Sequence, residues 1–256
     1  MHFHFFSSCQ ESRMMNSMTA SSDFLSISAI LWHYAVIYSF LLQSFGVFPD
    51  MQVKLICSDQ PILALVGDDV ILPCRLDPAI SADSMTVMWT RPSLDPKYIH
   101  VHQDGRLLYE SQNPTYSYRT RVFVDELVHG NVSMSIFKAK ISDEGQFWCS
   151  IPSIQKEASI QLIVGSVSTP VIEVTSSNRG KMVLQCESAG WYPEPEVLWL
   201  DGEGNLLSAG PTETVRGPDD LYTVSSRVTV EERHSNKLTC RIQQSNINQS
   251  REAQIR

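Results

Sequence analysis

The 256-residue chain has no C-x-x-C pair, no histidines at zinc-finger spacing and no extended cluster of lysine or arginine. The first two absences leave no basis for a structural zinc site. The third removes the basic face that phosphate binding requires, and the formal net charge of −8 agrees, so nucleic acid is not an expected partner. No glycine-rich phosphate loop occurs either: "GDD" at Gly67 reads as a turn and "GEG" at Gly202 as a hairpin tip. Catalysis needs a nucleophile, a base and an orienting group. His100 and His102 form the only close histidine pair after the first 49 residues, and no third ligand accompanies them. The chain is therefore expected not to be an enzyme and to need no metal or cofactor. What is present, 43% hydrophobic and 19% charged residues, is a globular composition with room for about two domains.

Long apolar runs are scarce too. Residues 24–48 carry no charge, and residues 24–42 are apolar apart from Ser26, Ser28, His33 and Ser39. Residues 1–49 are read either as a signal peptide cleaved near Gly46 or as a signal anchor retained in the bilayer. Both place the remainder outside the cytosol. No later run is long enough to span a membrane, so attachment is expected through the N-terminal run or a C-terminal helix absent from this chain. Asn131 and Asn248 open N-x-S sequons and are candidate glycosylation sites, whereas Pro114 disqualifies Asn113.

The cysteines carry the fold signal. Cys74 and Cys149 lie 75 positions apart, and Cys186 and Cys240 lie 54 apart. Trp89 follows Cys74 by 15 residues and Trp199 follows Cys186 by 13. That Cys…Trp…Cys spacing, met twice, predicts an all-β chain of two tandem immunoglobulin-like sandwiches with disulfides Cys74–Cys149 and Cys186–Cys240. The longer interval has room for two extra strands, so residues 57–165 read as variable-type and residues 166–256 as constant-type. Cys9 falls in the leader. For Cys57 three fates stand open: an inert thiol, a cross-link between two copies, or a position near the cleavage point.

Alternation assigns the faces. "VILPC" turns Val70, Leu72 and Cys74 inward, and "TVMWT" turns Val87 and Trp89 inward with Met88 and Thr90 outward. Asp104-Gly105 reads as a hairpin turn. In variable-type domains an arginine opening the D strand pairs with an aspartate before the F strand, which suggests Arg121 with Asp143. In the second domain the two prolines of "GWYPEPE" make that segment a loop, with Tyr192–Pro193 expected to be cis.

The stretches "QPILALVGDDVILPC", "MTVMWTRP", "YSYRTRV" and "ISDEGQFWC" resemble the variable-type domain of butyrophilins and of myelin oligodendrocyte glycoprotein. "CESAGWYPEPEVLWLDGEGNLL" resembles the constant-type domain of butyrophilins and the T-cell co-stimulatory ligands. Phe147 departs from the pattern, standing where most variable-type domains have a corner tyrosine. The resemblance implies a cell-surface or secreted immune-regulatory ligand on the external side of the plasma membrane. Such a ligand binds a protein receptor on T cells and tunes T-cell receptor signalling and cytokine production. Homophilic adhesion, self in trans, is the alternative.

In "GQFWCSI", Cys149 inward sends Trp148 and Ser150 outward. An outward tryptophan beside Met88 and Thr90, with Tyr98, His100 and His102 on the next strand, suggests a partner-binding face.

Overall fold

Short β-rich segments separated by turn residues fold into two sandwiches. The computed structural model describes residues 32–34, 36–38, 52–231 and 237–256. The chain divides into two units, Met1–Gln52 and Val53–Arg256. In the first unit residues 32–34 and 36–38 are helical, with Trp32, Tyr34, Ile37 and Tyr38 exposed. The rest of the expected signal or anchor over residues 1–49 lies outside the described residues. Among those described, no helix is long and apolar enough to cross a membrane.

The second unit opens with eleven strands: β1 (Lys54–Cys57), β2 (Ile62–Leu65), β3 (Val70–Leu72), β4 (Cys74–Asp77), β5 (Val87–Thr90), β6 (Tyr98–Gln103), β7 (Arg106–Leu107), β8 (Thr120–Val122), β9 (Met134–Ile136), β10 (Gly145–Ile151) and β11 (Lys156–Gly165). The front sheet runs β2-β11-β10-β5-β6-β7, and β1-β4 and β3-β9-β8 form the back. β6 and β7 are the two extra strands of a variable-type domain, joined through Asp104 and Gly105 with φ of 51° and 73°. Period-2 alternation along β10 buries Phe147, Cys149 and Ile151. Trp89 is fully buried, and its indole N–H donates 3.1 Å to the Val132 carbonyl, just ahead of β9.

Seven strands follow: β12 (Val171–Asn178), β13 (Lys181–Trp191), β14 (Glu196–Leu200), β15 (Glu213–Arg216), β16 (Tyr222–Glu231), β17 (Leu238–Gln244) and β18 (Gln249–Ile255). They form sheets β12-β13-β16-β15 and β14-β17-β18, the four-plus-three arrangement of a constant-type domain. Trp199 is buried and donates 3.2 Å to the Ser226 hydroxyl. A disulfide joins Cys186 to Cys240 across the two sheets. The Tyr192–Pro193 bond is cis, as are Asp77–Pro78 and Asp95–Pro96.

Two sequence-based expectations are corrected here. Cys74 is bonded to Cys57, not to Cys149, which is a buried free thiol. Spacing relates Cys74 to Cys149 but does not see that β1 pairs with β4 so that Cys57 lies directly opposite Cys74, with Cα atoms 4.0 Å apart. Burial pushes the Cys149 thiol pKa well up, so it stays protonated.

The second correction concerns Asp143, whose partner is Arg119 rather than Arg121. Thr120 and Val122 face the core, so Arg121 points to solvent, its guanidinium 5.4 Å from the Phe123 ring centroid. The backbone turns left-handed at Tyr118, φ 62°, and Arg119 folds back along the end of the sandwich. There it donates to both Asp143 oxygens, at 3.3 and 2.5 Å, and to the carbonyls of Phe137 and Lys138. Asp143 is 1% exposed and also accepts from the Lys140 N–H at 2.8 Å.

At the same end, Arg91 packs over Phe147, the residue that stands in place of a corner tyrosine. It donates to the Tyr116 hydroxyl and to the Ser142 and Glu144 carbonyls, and lies 5.0 Å over the Phe147 ring. Gly145 makes room for it, since a Cβ there would sit 2.8 Å from an Arg91 nitrogen.

Residues 164–170, which join the two sandwiches, begin inside the last strand of the first. Ser166 and Tyr192 exchange backbone hydrogen bonds of 2.8 and 2.9 Å, and the Tyr192 hydroxyl donates 3.4 Å to Glu144. Gly165 allows the close approach of Ile247, because a Cβ would stand 2.3 Å from the Ile247 terminal methyl. The two sandwiches therefore meet through packed side chains, not a free tether.

Candidate partner-binding face

The outward surface of the front sheet is set by register. Trp148 on β10 lies opposite Thr90 on β5 and Ser159 on β11, and Ser150 lies opposite Met88. Met88 in turn opposes Val101 on β6, and Thr90 opposes Tyr98. Directly opposed residues share a face, so Trp148, Ser150, Met88, Thr90, Tyr98 and Val101 form one contiguous side. Trp148, Met88, Tyr98 and Ser150 are half-buried, while Thr90 and Val101 are covered by their neighbours. Trp148 thus keeps part of its ring in water, flanked by an apolar strip and the polar Ser159, Gln146 and Glu157.

His100 and His102 do not belong to this face. The β5–β6 ladder slips by one residue between Trp89 and Thr90, so that Trp89 opposes His100 and Val87 opposes His102. The extra residue, Ile99, reverses the parity of β6 and turns both histidines into the sandwich. They are 3% and 2% exposed. The His100 Nδ1 lies 2.9 Å from the Thr120 hydroxyl, and that hydroxyl accepts from the Gln112 amide. Val101, unassigned by alternation, takes the outward place; a bulge leaves no period-2 signal by which to find it.

Burial, and next the neighbouring His102, hold the His100 pKa down to about 4; burial also lowers His102, against the raising effect of Asp83. The folded state therefore favours neutral His100. That stability is present above the unfolded value of about 6.5 and is lost as pH falls through 4. At pH 4.5 the loss from His100 alone is about 2–3 kcal/mol. Denaturant unfolding at pH 7 and 4.5 checks it: His100→Gln should lose less stability on acidification than the unsubstituted protein, by about that amount. Equal acid losses in the two chains contradict the assignment.

Residues 58–164 match the immunoglobulin V-set domain family, and residues 166–252 match the family described as Butyrophilin subfamily 3 member A2-like, Ig-C domain. Human butyrophilin subfamily 1 member A1 is 34% identical over 201 residues, which cover 77% of this chain and 38% of that protein. The chain is a butyrophilin-like member of the immunoglobulin superfamily. Human butyrophilin-like protein 2 is 35% identical over 186 residues, again with 38% of its length covered. Crystalline bovine butyrophilin superposes with a TM-score of 0.69 at 29% identity, over 79% of this chain and 97% of that one. A chain in the crystal structure of ICOS in complex with ICOS-L and an anti ICOS-L VNAR domain shares the fold, with a TM-score of 0.57 at 21% identity over 77% of this butyrophilin-like chain and 98% of that one. The butyrophilin-like chain spans 38% of the length of the curated relatives just named.

Proposed function

We propose that the chain is an extracellular immune-regulatory ligand, held at the outer plasma-membrane face or secreted, that binds a receptor on T cells and modulates T-cell receptor signalling and cytokine production. The observation that carries this reading is the partly solvated Trp148, held on β10 between Thr90 and Ser159 and beside the strip of Met88, Tyr98 and Val101. A partly solvated tryptophan beside an apolar strip, with a polar margin on its other side, has the anatomy of a binding hot spot. The butyrophilin relatives support the immune setting.

Trp148→Ala is expected to weaken binding of a soluble dimeric ectodomain to activated T cells by about 2 kcal/mol or more, roughly 30-fold. Its melting temperature should move by only a few degrees, because the ring adds little to the core. A large drop in melting temperature with unaltered binding per folded molecule rejects the docking role. Sedimentation of the purified ectodomain separates the homophilic alternative: self-association that rises with concentration and disappears in Trp148→Ala identifies adhesion in trans.

A further inference from the structure

We propose that Asn131 carries an N-linked glycan whose first sugars lie in a cleft on the back of the first sandwich and cover the β1–β4 edge. Asn131 is held firmly. Its N–H donates to the Glu126 carbonyl, it bridges Arg75, the Val132 N–H donates to the Cys74 carbonyl on the next strand, and the Ser133 hydroxyl oxygen accepts from the Cys74 N–H. Val132 is fully buried, so Asn131 faces the other way. The Asn131 Oδ1 accepts from both the N–H and the hydroxyl of Ser133, at 3.1 and 2.6 Å. Among the described residues nothing accepts from its Nδ2, the atom that a sugar modifies.

Asn131 stands on the wall of a cleft of about 650 Å³. That volume is in the range of sites that hold small organic ligands. Ile56 and Pro73 offer apolar surface to the C–H face of a sugar ring, and Arg75, Asp77, Glu126 and His129 offer charge and hydrogen bonds to its hydroxyls. The second sequon is built differently. Asn248 is exposed at the left-handed end of a tight turn, with φ of 51°.

The transfer itself takes an oligosaccharide from a lipid diphosphate donor. A bond forms between Nδ2 and the sugar C1 as the C1–O bond to the diphosphate breaks. Nδ2 gives up one proton and the lipid diphosphate leaves. Because β1 and β4 are not part of the front sheet, the glycan and Trp148 occupy different sheets, and the proposal stands whether or not the T-cell reading does.

The full chain secreted from mammalian cells is digested and mapped by mass spectrometry for occupancy at Asn131. Release of its glycan by peptide:N-glycosidase F is then timed on native and on denatured protein, with Asn248 supplying the ratio for an uncovered site. The expected result is an occupied Asn131 whose glycan leaves the native protein at least tenfold more slowly than the denatured chain, beyond any slowing at Asn248. A bare Asn131 overturns the proposal. So does an occupied Asn131 whose glycan is released as readily from the native as from the denatured protein.

Discussion

Asp143→Ala is expected to destabilise the first sandwich by about 3–5 kcal/mol, enough to unfold a marginal domain. The reason is the partner left behind. Arg119 is mostly buried, with its side chain 14% exposed, and it would lose the Asp143 carboxylate while remaining in the same low-dielectric corner. The Lys140 N–H would lose an acceptor as well. Arg119→Met leaves Asp143 buried without its cation and should be comparably severe. The double variant Arg119→Met/Asp143→Leu should recover part of the loss, since replacing both ions by apolar groups leaves neither charge uncompensated. Arg121→Ala is the control. Arg121 is exposed and its guanidinium lies 5.4 and 6.0 Å from the Phe123 and Phe137 ring centroids, so its removal should cost under about 1 kcal/mol. Denaturant unfolding read by calorimetry or tryptophan fluorescence measures all four. A loss in Arg121→Ala that equals the loss in Asp143→Ala rules out the Arg119 pairing.

The same pair shows where sequence reading succeeds and where it stops. The tryptophan following each first cysteine, the alternation of "VILPC" and "TVMWT", and the Asp104-Gly105 turn are local signals. Each has a single physical meaning in a half-buried sheet, so the architecture was legible. Departures from regular period were not. One left-handed residue at Tyr118 decides which arginine meets Asp143, and nothing in "YSYRTRV" sets Arg119 above Arg121. One bulged residue at Ile99 sends His100 and His102 inward and Val101 outward, so the candidate face kept Trp148, Ser150, Met88, Thr90 and Tyr98 but lost its histidines. Arg91 was missed because its partners are mainly carbonyls, which any residue supplies. Cys57 needed the register of β1 against β4, a contact between segments that spacing does not encode.

Those cystines lead to the other large effect. Cys186 and Cys240 close a loop of 54 positions, and the chain-entropy relation gives about 4 kcal/mol for restricting it in the unfolded state. Replacing both with alanine should lower the stability of the second sandwich by about that amount and leave the first nearly unchanged, visible as movement of one calorimetric transition. In the first sandwich the bridge spans only 17 positions, worth about 3 kcal/mol on the same relation. Cys57→Ala should therefore cost about 3 kcal/mol. Cys149→Ala, which removes a thiol from the core but no cross-link, should cost nearer 1 kcal/mol as a small cavity. The order of these two losses is the decisive quantity. If Cys149→Ala is the more damaging and non-reducing peptide maps join Cys74 to Cys149, the bridge runs between the sheets, and Cys57 is the free thiol at the sandwich edge. The strand faces survive either outcome, because Cys74 and Cys149 point into one core in both.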